Sequence, residues 1–171
     1  MIGFMGTGKS AVGRVLARRT GRRHLDTDAE IERQSGKTIP EIFTLSGEAA
    51  FREQETAFLS SLVTAEGVNE LILSTGGGTP VRAESAALLK QLGIVVWLRV
   101  TPEAIWARVA HSLSERPLLA AHRDDPQAKI KSLLAAREPV YEVLADVILE
   151  TSDCADSEEG AARLLARLGE L

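Results

Sequence analysis

The sequence predicts an α/β domain, a parallel sheet layered between helices, and two observations carry that prediction. Short β-rich apolar runs alternate with helical patterns along the chain, the signature of βαβ units. Near the start, Gly3 to Ser10 fits G-x-x-x-x-G-K-[ST] and leads directly into helical periodicity. With 171 residues the chain is sized for one domain, 1–171, and is short for two.

Met1-Ile2 reads as the end of a first strand. Only these two residues precede Gly3, whereas a strand carrying such a loop sits centrally and takes several buried residues. The expectation is a stunted central strand at a shortened N-terminus. A helix from Lys9 buries Val12, Val15 and Leu16 and stops at Gly21. A second strand, His24-Leu25, ends in Asp26-Thr27-Asp28. Helical stretches follow at about 29–35 and 40–45, with Pro40 suited to the first helical position. The strongest helical pattern, 48–64, puts Phe51, Phe58, Leu59 and Leu62 on one face. Leu71 to Ser74 reads as a fully buried strand running into Gly76-Gly77-Gly78. A helix over 83–92 closes at Gly93, and 94–100 is the strongest strand. Thr101-Pro102 is an N-cap and N1 pair for the next helix. Residues 110–125 carry mixed charge, with Arg116 and Arg123 among three acids, and no sustained period, which suits a lid or a disordered stretch. A helix over 127–144, interrupted at Pro139, leads to the last strand, 147–149, and a closing helix near 157–168. The count is five strands.

Composition narrows the function classes. The chain is 44% hydrophobic and 26% charged, as in soluble globular proteins. A net charge of -4 gives no long-range attraction to nucleic acid or an anionic membrane. The longest apolar run, 94–98, is far too short to span a bilayer, and no N-terminal signal pattern is seen. The lone Cys154 forms no intramolecular disulfide, and no Cys/His cluster has metal-ligand spacing, so the expected setting is a reduced cytoplasm.

The glycine-rich loop carries the clearest chemistry. Glycines let backbone N–H groups converge on phosphate oxygens at a helix N-terminus. Lys9 reaches phosphates as a point charge, and the Ser10 hydroxyl is a ligand for Mg²⁺. The motif says nothing about the acceptor. Asp26 and Asp28 sit at the carboxyl end of the second strand, where open α/β sheets place ligands. Two apart in extended chain, they face one side; one carboxylate could hold Mg²⁺ and the other take a proton from an attacking hydroxyl. Equally, Asp28 reads as the cap of a helix starting at Ala29. Gly76-Gly77-Gly78 is costly for a mere turn and suits a close backbone approach to a ligand, although a plain strand exit fits too. Arg52, Arg116 and Arg137 are three of 15 arginines, each by default a surface residue, and periodicity does not bring them together.

In order along the chain, these segments resemble the shikimate kinase family. The loop, Asp26-Thr27-Asp28, Phe51-Arg52 with Glu55, the glycine triplet, Arg116-Pro117-Leu118-Leu119, and Arg137 with Tyr141 match its pattern. The resemblance implies a three-layer P-loop kinase fold with a five-stranded parallel sheet, order 2-3-1-4-5, a shikimate-binding helical segment at about 29–62 and a lid at about 110–125. It implies MgATP-dependent phosphorylation of the shikimate 3-hydroxyl by a monomer. Gly6, Thr7, Gly8, Lys9, Ser10 and Ala11 would serve ATP, with Asp26 near the metal. Asp28 would orient or deprotonate the nucleophile. Arg52 and Arg137 would clamp the substrate carboxylate, alongside Gly76, Gly77 and Gly78. Arg116 would enter from the lid, and Arg108 would stack on adenine. After the last strand, 151–154 has no Arg where some members contact adenine. Other small-metabolite P-loop kinases, of the gluconate or nucleoside monophosphate type, share the loop and lid but not the other motifs together. An inactive kinase-like binding module is the non-enzyme alternative.

Overall fold

The computed structural model describes residues 1–111, 119 and 125–169. Among these, four short strands alternate with seven α-helices: α1 Lys9–Thr20, β1 Arg23–Asp26, α2 Thr27–Ser35, α3 Ile39–Val63, β2 Leu71–Ser74, α4 Ala83–Leu92, β3 Val96–Arg99, α5 Pro102–Val109, α6 Pro126–Leu144, β4 Val147–Glu150 and α7 Ser157–Gly169. β1 pairs parallel with β2 and β3 parallel with β4, in register Asp26 with Ser74 and Arg99 with Glu150. Met1–Ile2 forms no strand; Ile2 makes one isolated parallel bridge to Trp97. Met1 bonds toward β2, through its amine to Leu73 O at 2.5 Å and from Thr75 N at 3.2 Å. Ile2 bonds toward β3, to Val96 O at 2.8 Å and from Leu98 N at 3.1 Å.

β3 shows why this alternation makes layers. Its successive side chains point to opposite faces. Val96 and Leu98 pack with Val12, Val15 and Leu16 of α1 and with Leu164 of α7. Val95 and Trp97 pack on the other side with Leu59, Leu89, Tyr141 and Leu144, from α3, α4 and α6. Each such aliphatic side chain contributes about 1.5–3 kcal/mol by leaving water. Helices therefore cover both faces, the α/β arrangement the sequence pattern foretells.

Besides the missing first strand, the structure departs from the sequence reading at β2, α6 and α3. Leu71, Ile72 and Leu73 are half-buried rather than fully buried. Met1–Ile2 flanks only the end of β2, and a cavity of about 310 Å³ lies beside Leu71, Leu73, Ile94 and Val96. Pro139 does not interrupt α6, which runs unbroken. A proline removes the bond to the carbonyl four residues back, and here that residue, Ala135, is exposed, which lowers the cost of the missing bond. The 40–45 and 48–64 stretches join in α3, which bends at Gly47 (φ 82°, ψ 167°). Its N-cap is Thr38, in a reciprocal capping box with Glu41, so Pro40 follows the first helical residue, Ile39. The lid, 110–125, lies almost wholly outside the described residues; Leu119 is buried among Phe4, Ile105 and Ile130.

Candidate active site

The phosphate loop connects Ile2 to α1. Gly6 and Gly8 take left-handed backbone, φ 76° and 89°, which other residues adopt at a cost. Gly8 caps α1 without any side-chain hydrogen bond, and no acidic residue occupies the first turn. The helix's leading N–H groups and its positive dipole end are thus left to an external anion. Lys9 is buried and donates to the Gly3 and Phe4 carbonyls at 2.9 and 2.8 Å, which folds it against the loop. Thr7 Oγ1 donates to Phe4 O at 2.8 Å and stiffens the same turn. Ala11 follows in α1.

Ser10 Oγ donates to Asp26 Oδ2, joining the start of α1 to the end of β1. The helix cap is Asp26, not Asp28: its other oxygen accepts from Asp28 N at 3.0 Å and Ala29 N at 3.3 Å. α2 begins at Thr27, two residues earlier than the sequence pattern places it, so Asp28 is in its first turn. The extended-chain argument for the pair therefore fails, although the two charges remain close enough to influence each other. Burial first, then the charges of Asp26 and Glu55, push the Asp28 carboxyl up to about 6. A carboxylate of raised proton affinity is matched to receiving a proton from a hydroxyl.

The glycine triplet is where the separate motifs meet. None of its residues has left-handed backbone; each is glycine because another group occupies the place of a side chain. A Cβ on Gly76 would stand 2.7 Å from Asp28 Oδ1 and 2.9 Å from Glu55 Oε1. On Gly77 it would lie 3.2 Å from Met5 N in the phosphate loop and 3.5 Å from Arg137 Nη1. On Gly78 it would collide with the Arg52 guanidinium at 2.5 Å. Asp28, Arg52, Arg137 and the phosphate loop are thus brought to one short segment.

The two arginines differ in their pairing. Arg52 donates to Glu48 at 2.9 Å and to the fully buried Glu55 at 2.7 Å. Arg137, half-buried on α6, lies over the Phe4 ring at 5.6 Å and has no carboxylate partner among the described residues. The triplet's carbonyls and its first N–H are engaged: Gly76 N donates to Thr27 Oγ1 at 3.0 Å, Gly76 O and Gly78 O accept from Thr79 N and Val81 N, and Gly77 O accepts from the Tyr141 hydroxyl. The N–H groups of Gly77 and Gly78 have no acceptor among the described residues. Two neighbouring donors beside an arginine without an acid form a site for an anion.

Arg108, at the end of α5, donates to Thr151 O at 2.8 Å. It borders a cavity of about 220 Å³ with Thr7, Gly8, Ala11, Thr151 and Cys154, next to the phosphate loop. Arg116 lies outside the described residues. Thr27, Thr79 and Tyr141 each act through a contact distant in the chain, so the family pattern marks Thr27 and Tyr141 without showing what they hold. Glu55, named with Arg52 through the family pattern, also carries a physical signal as an acid on the buried stripe of a helix, since burial demands a partner. Among the described residues no group of three or more His, Cys, Asp or Glu side chains is placed to hold a metal. Ser10 and Asp26 instead offer the one or two hard oxygens that Mg²⁺ takes from a protein when phosphates and water complete its shell.

A Walker-type loop at a helix N-terminus, in a layered parallel α/β domain, facing an acid and an anion site, defines a P-loop kinase. The shikimate kinase family model matches residues 5–168, and the chain belongs to that family. It is 43% identical over 150 residues to the shikimate kinase of Burkholderia pseudomallei (strain 1710b), covering 88% of this chain and 78% of that protein. To the shikimate kinase of Neisseria meningitidis serogroup C it is 41% identical over 167 residues, covering 98% and 95%. Among solved structures it superposes on a shikimate kinase from Acinetobacter baumannii in complex with shikimate with a TM-score of 0.90, at 40% identity and over 99% of this chain and 90% of that one. The Aquifex aeolicus shikimate kinase gives 0.80 at 34% identity, over 98% and 94%.

Proposed function

We propose that the chain transfers the γ-phosphoryl group of ATP to the 3-hydroxyl of shikimate, giving shikimate 3-phosphate and ADP for chorismate and aromatic amino-acid biosynthesis. The observation that carries this reading is the anion site of Arg137 with the Gly77 and Gly78 N–H groups, set against Asp28 and the phosphate loop. Shikimate carries a carboxylate at one end of its ring and hydroxyls at the other, and such a site suits that pairing.

In this reading Gly6, Thr7, Gly8, Lys9, Ser10 and Ala11 hold the phosphates, and Arg108 stacks on adenine in the cavity beside Thr151. Ser10 and Asp26 hold Mg²⁺, which when bound neutralises charge on the phosphates. Arg52, Arg137 and the Gly76–Gly78 backbone fix shikimate. Asp28 orients its 3-hydroxyl and takes the proton as the oxygen bonds to the γ-phosphorus and the bond to the β-phosphate oxygen breaks. Arg116 enters from the lid at 110–125 to balance charge on the transferring group, and the helices at about 29–62 form the acceptor-binding segment. The five-stranded order 2-3-1-4-5, counting Met1–Ile2 as the first strand, is supported by its hydrogen bonds toward β2 and β3. The enzyme is taken as a cytoplasmic monomer acting on ATP and shikimate, with no nucleic-acid or membrane partner.

A coupled ADP-release assay with shikimate, gluconate and nucleoside monophosphates offered separately tests the assignment. ADP release is expected with shikimate. Release with gluconate or a nucleotide, and none with shikimate, rejects it.

A further inference from the structure

The orientation of the glycine triplet is set from outside the cleft. Tyr141 lies one helical turn beyond Arg137 on α6 and is fully buried. Its ring packs against Trp97, centroids 5.7 Å apart and planes tilted by 57°, and sits in the cluster of Ile2, Leu59, Leu89 and Leu144. A phenylalanine would provide all of that packing. The hydroxyl is the part packing does not require, and burying one costs free energy unless it is paired.

Its pairing is specific. The hydroxyl donates to the Gly77 carbonyl at 2.5 Å, and the Arg137 guanidinium lies near enough for its charge to act on the phenol. In a trans peptide the C=O and the following N–H point in opposite directions. Holding the Gly77 carbonyl toward α6 therefore turns the Gly78 N–H away from α6, leaving it without an acceptor among the described residues. One oxygen thus bonds the peptide that carries the donor and lies near the arginine of the same anion site. Burial pushes the phenol up to about 12, so it stays a donor across the working pH range.

We propose that the Tyr141 hydroxyl is a positioning group for the acceptor's carboxylate, locking the Gly77–Gly78 peptide and Arg137 into one anion-binding geometry. The inference rests on reading this cleft as the shikimate site. It separates the two substrates, because the hydroxyl's partner, Gly77, and the neighbouring Arg137 belong neither to the phosphate loop nor to the cavity at Arg108.

The test is steady-state kinetics of Tyr141→Phe with each substrate varied in turn. Loss of a hydrogen bond that fixes a charged contact corresponds to a shikimate KM raised roughly tenfold, with the ATP KM within about twofold. Tyr141 is the only tyrosine, so 3-fluorotyrosine incorporation puts a single ¹⁹F reporter on this ring without altering the fold. Its resonance is expected to move when shikimate is added and to stay in place with ADP and Mg²⁺ alone. Equal rises in both KM values, an unchanged shikimate KM, or a resonance indifferent to shikimate overturns the inference. Wild-type enzyme inert toward shikimate instead rejects the functional reading itself, before any variant is compared.

Discussion

Arg52 and Glu55, one helical turn apart on α3, are ion-paired at 2.7 Å, and the carboxylate has no contact with solvent. Glu55 also accepts the Thr79 hydroxyl, which ties α3 to the residue after the glycine triplet. Replacing one partner of a buried pair strands the other. Glu55→Gln keeps the shape and removes the charge. The expected loss is about 3 kcal/mol, at the low end for such pairs because Arg52 retains Glu48. Urea unfolding of variant and wild type measures it; equal midpoints would show that the pair contributes nothing net.

Gly78→Ala should separate binding from stability. The methyl would meet the Arg52 guanidinium, the movable end of a long side chain, and no left-handed backbone is involved. The guanidinium has to shift toward Glu48 while keeping its bond to Glu55, so the fold loses little, but it leaves its place in the cleft. The melting temperature is expected to change little, while the shikimate KM rises about tenfold, the cost of one weakened charge-assisted hydrogen bond. A large fall in melting temperature with an unchanged KM would place the constraint in the backbone instead.

Asp26 and Asp28 should respond differently to mutation, since only Asp26 caps α2. Asp26→Ala forfeits a cap worth about 1 kcal/mol as well as the oxygen facing Ser10. Asp28→Asn removes no cap and relieves a buried, charge-crowded carboxyl, so stability is expected to hold or rise. Its kcat is expected to fall by about 10²–10⁴, the usual contribution of a positioned proton acceptor. Calorimetry and turnover on the same two preparations check both halves of the contrast.

The same two aspartates mark the limit of local sequence rules. Those rules place α1 between Lys9 and Gly21, open α5 at Thr101-Pro102 and end α4 at Gly93, because each signal lies within a few residues of its effect. They do not choose between Asp26 and Asp28 as the cap, since the choice depends on where β1 lets go of β2. The glycine triplet stands out in the sequence as a costly run, but local rules do not show that Asp28, Arg137 and Arg52 come from elsewhere to fill the space beside it. The difference between Arg52 and Arg137 was invisible for the same reason. Glu48 and Glu55 sit at helical spacing from Arg52, whereas the lack of a carboxylate partner for Arg137 among the described residues is a property of the folded neighbourhood.

The Met1 amine is buried between β2 and β3, and desolvation, with Lys9 nearby, lowers its pKa from 8.0 to about 5. In a chain that starts at Met1, burial thus favours the neutral amine in the folded state where the unfolded chain holds it charged. Between pH 5 and 8 the unfolded state binds more protons, so stability should rise with pH across that window and fall as pH drops. A pKa lowered that far corresponds to roughly 4 kcal/mol at most. Placing Val-Ile ahead of Met1 turns the amine into a peptide N–H, still able to reach Leu73 O, and puts apolar side chains beside the 310 Å³ cavity at Leu71 and Val96. The extended variant is expected to melt higher than wild type, with the larger gain at pH 5.5 than at pH 8. Melting curves at both values decide the matter: an equal gain at the two pH values would assign the effect to packing alone, and no gain would mean that neither the buried amine nor the cavity limits the fold.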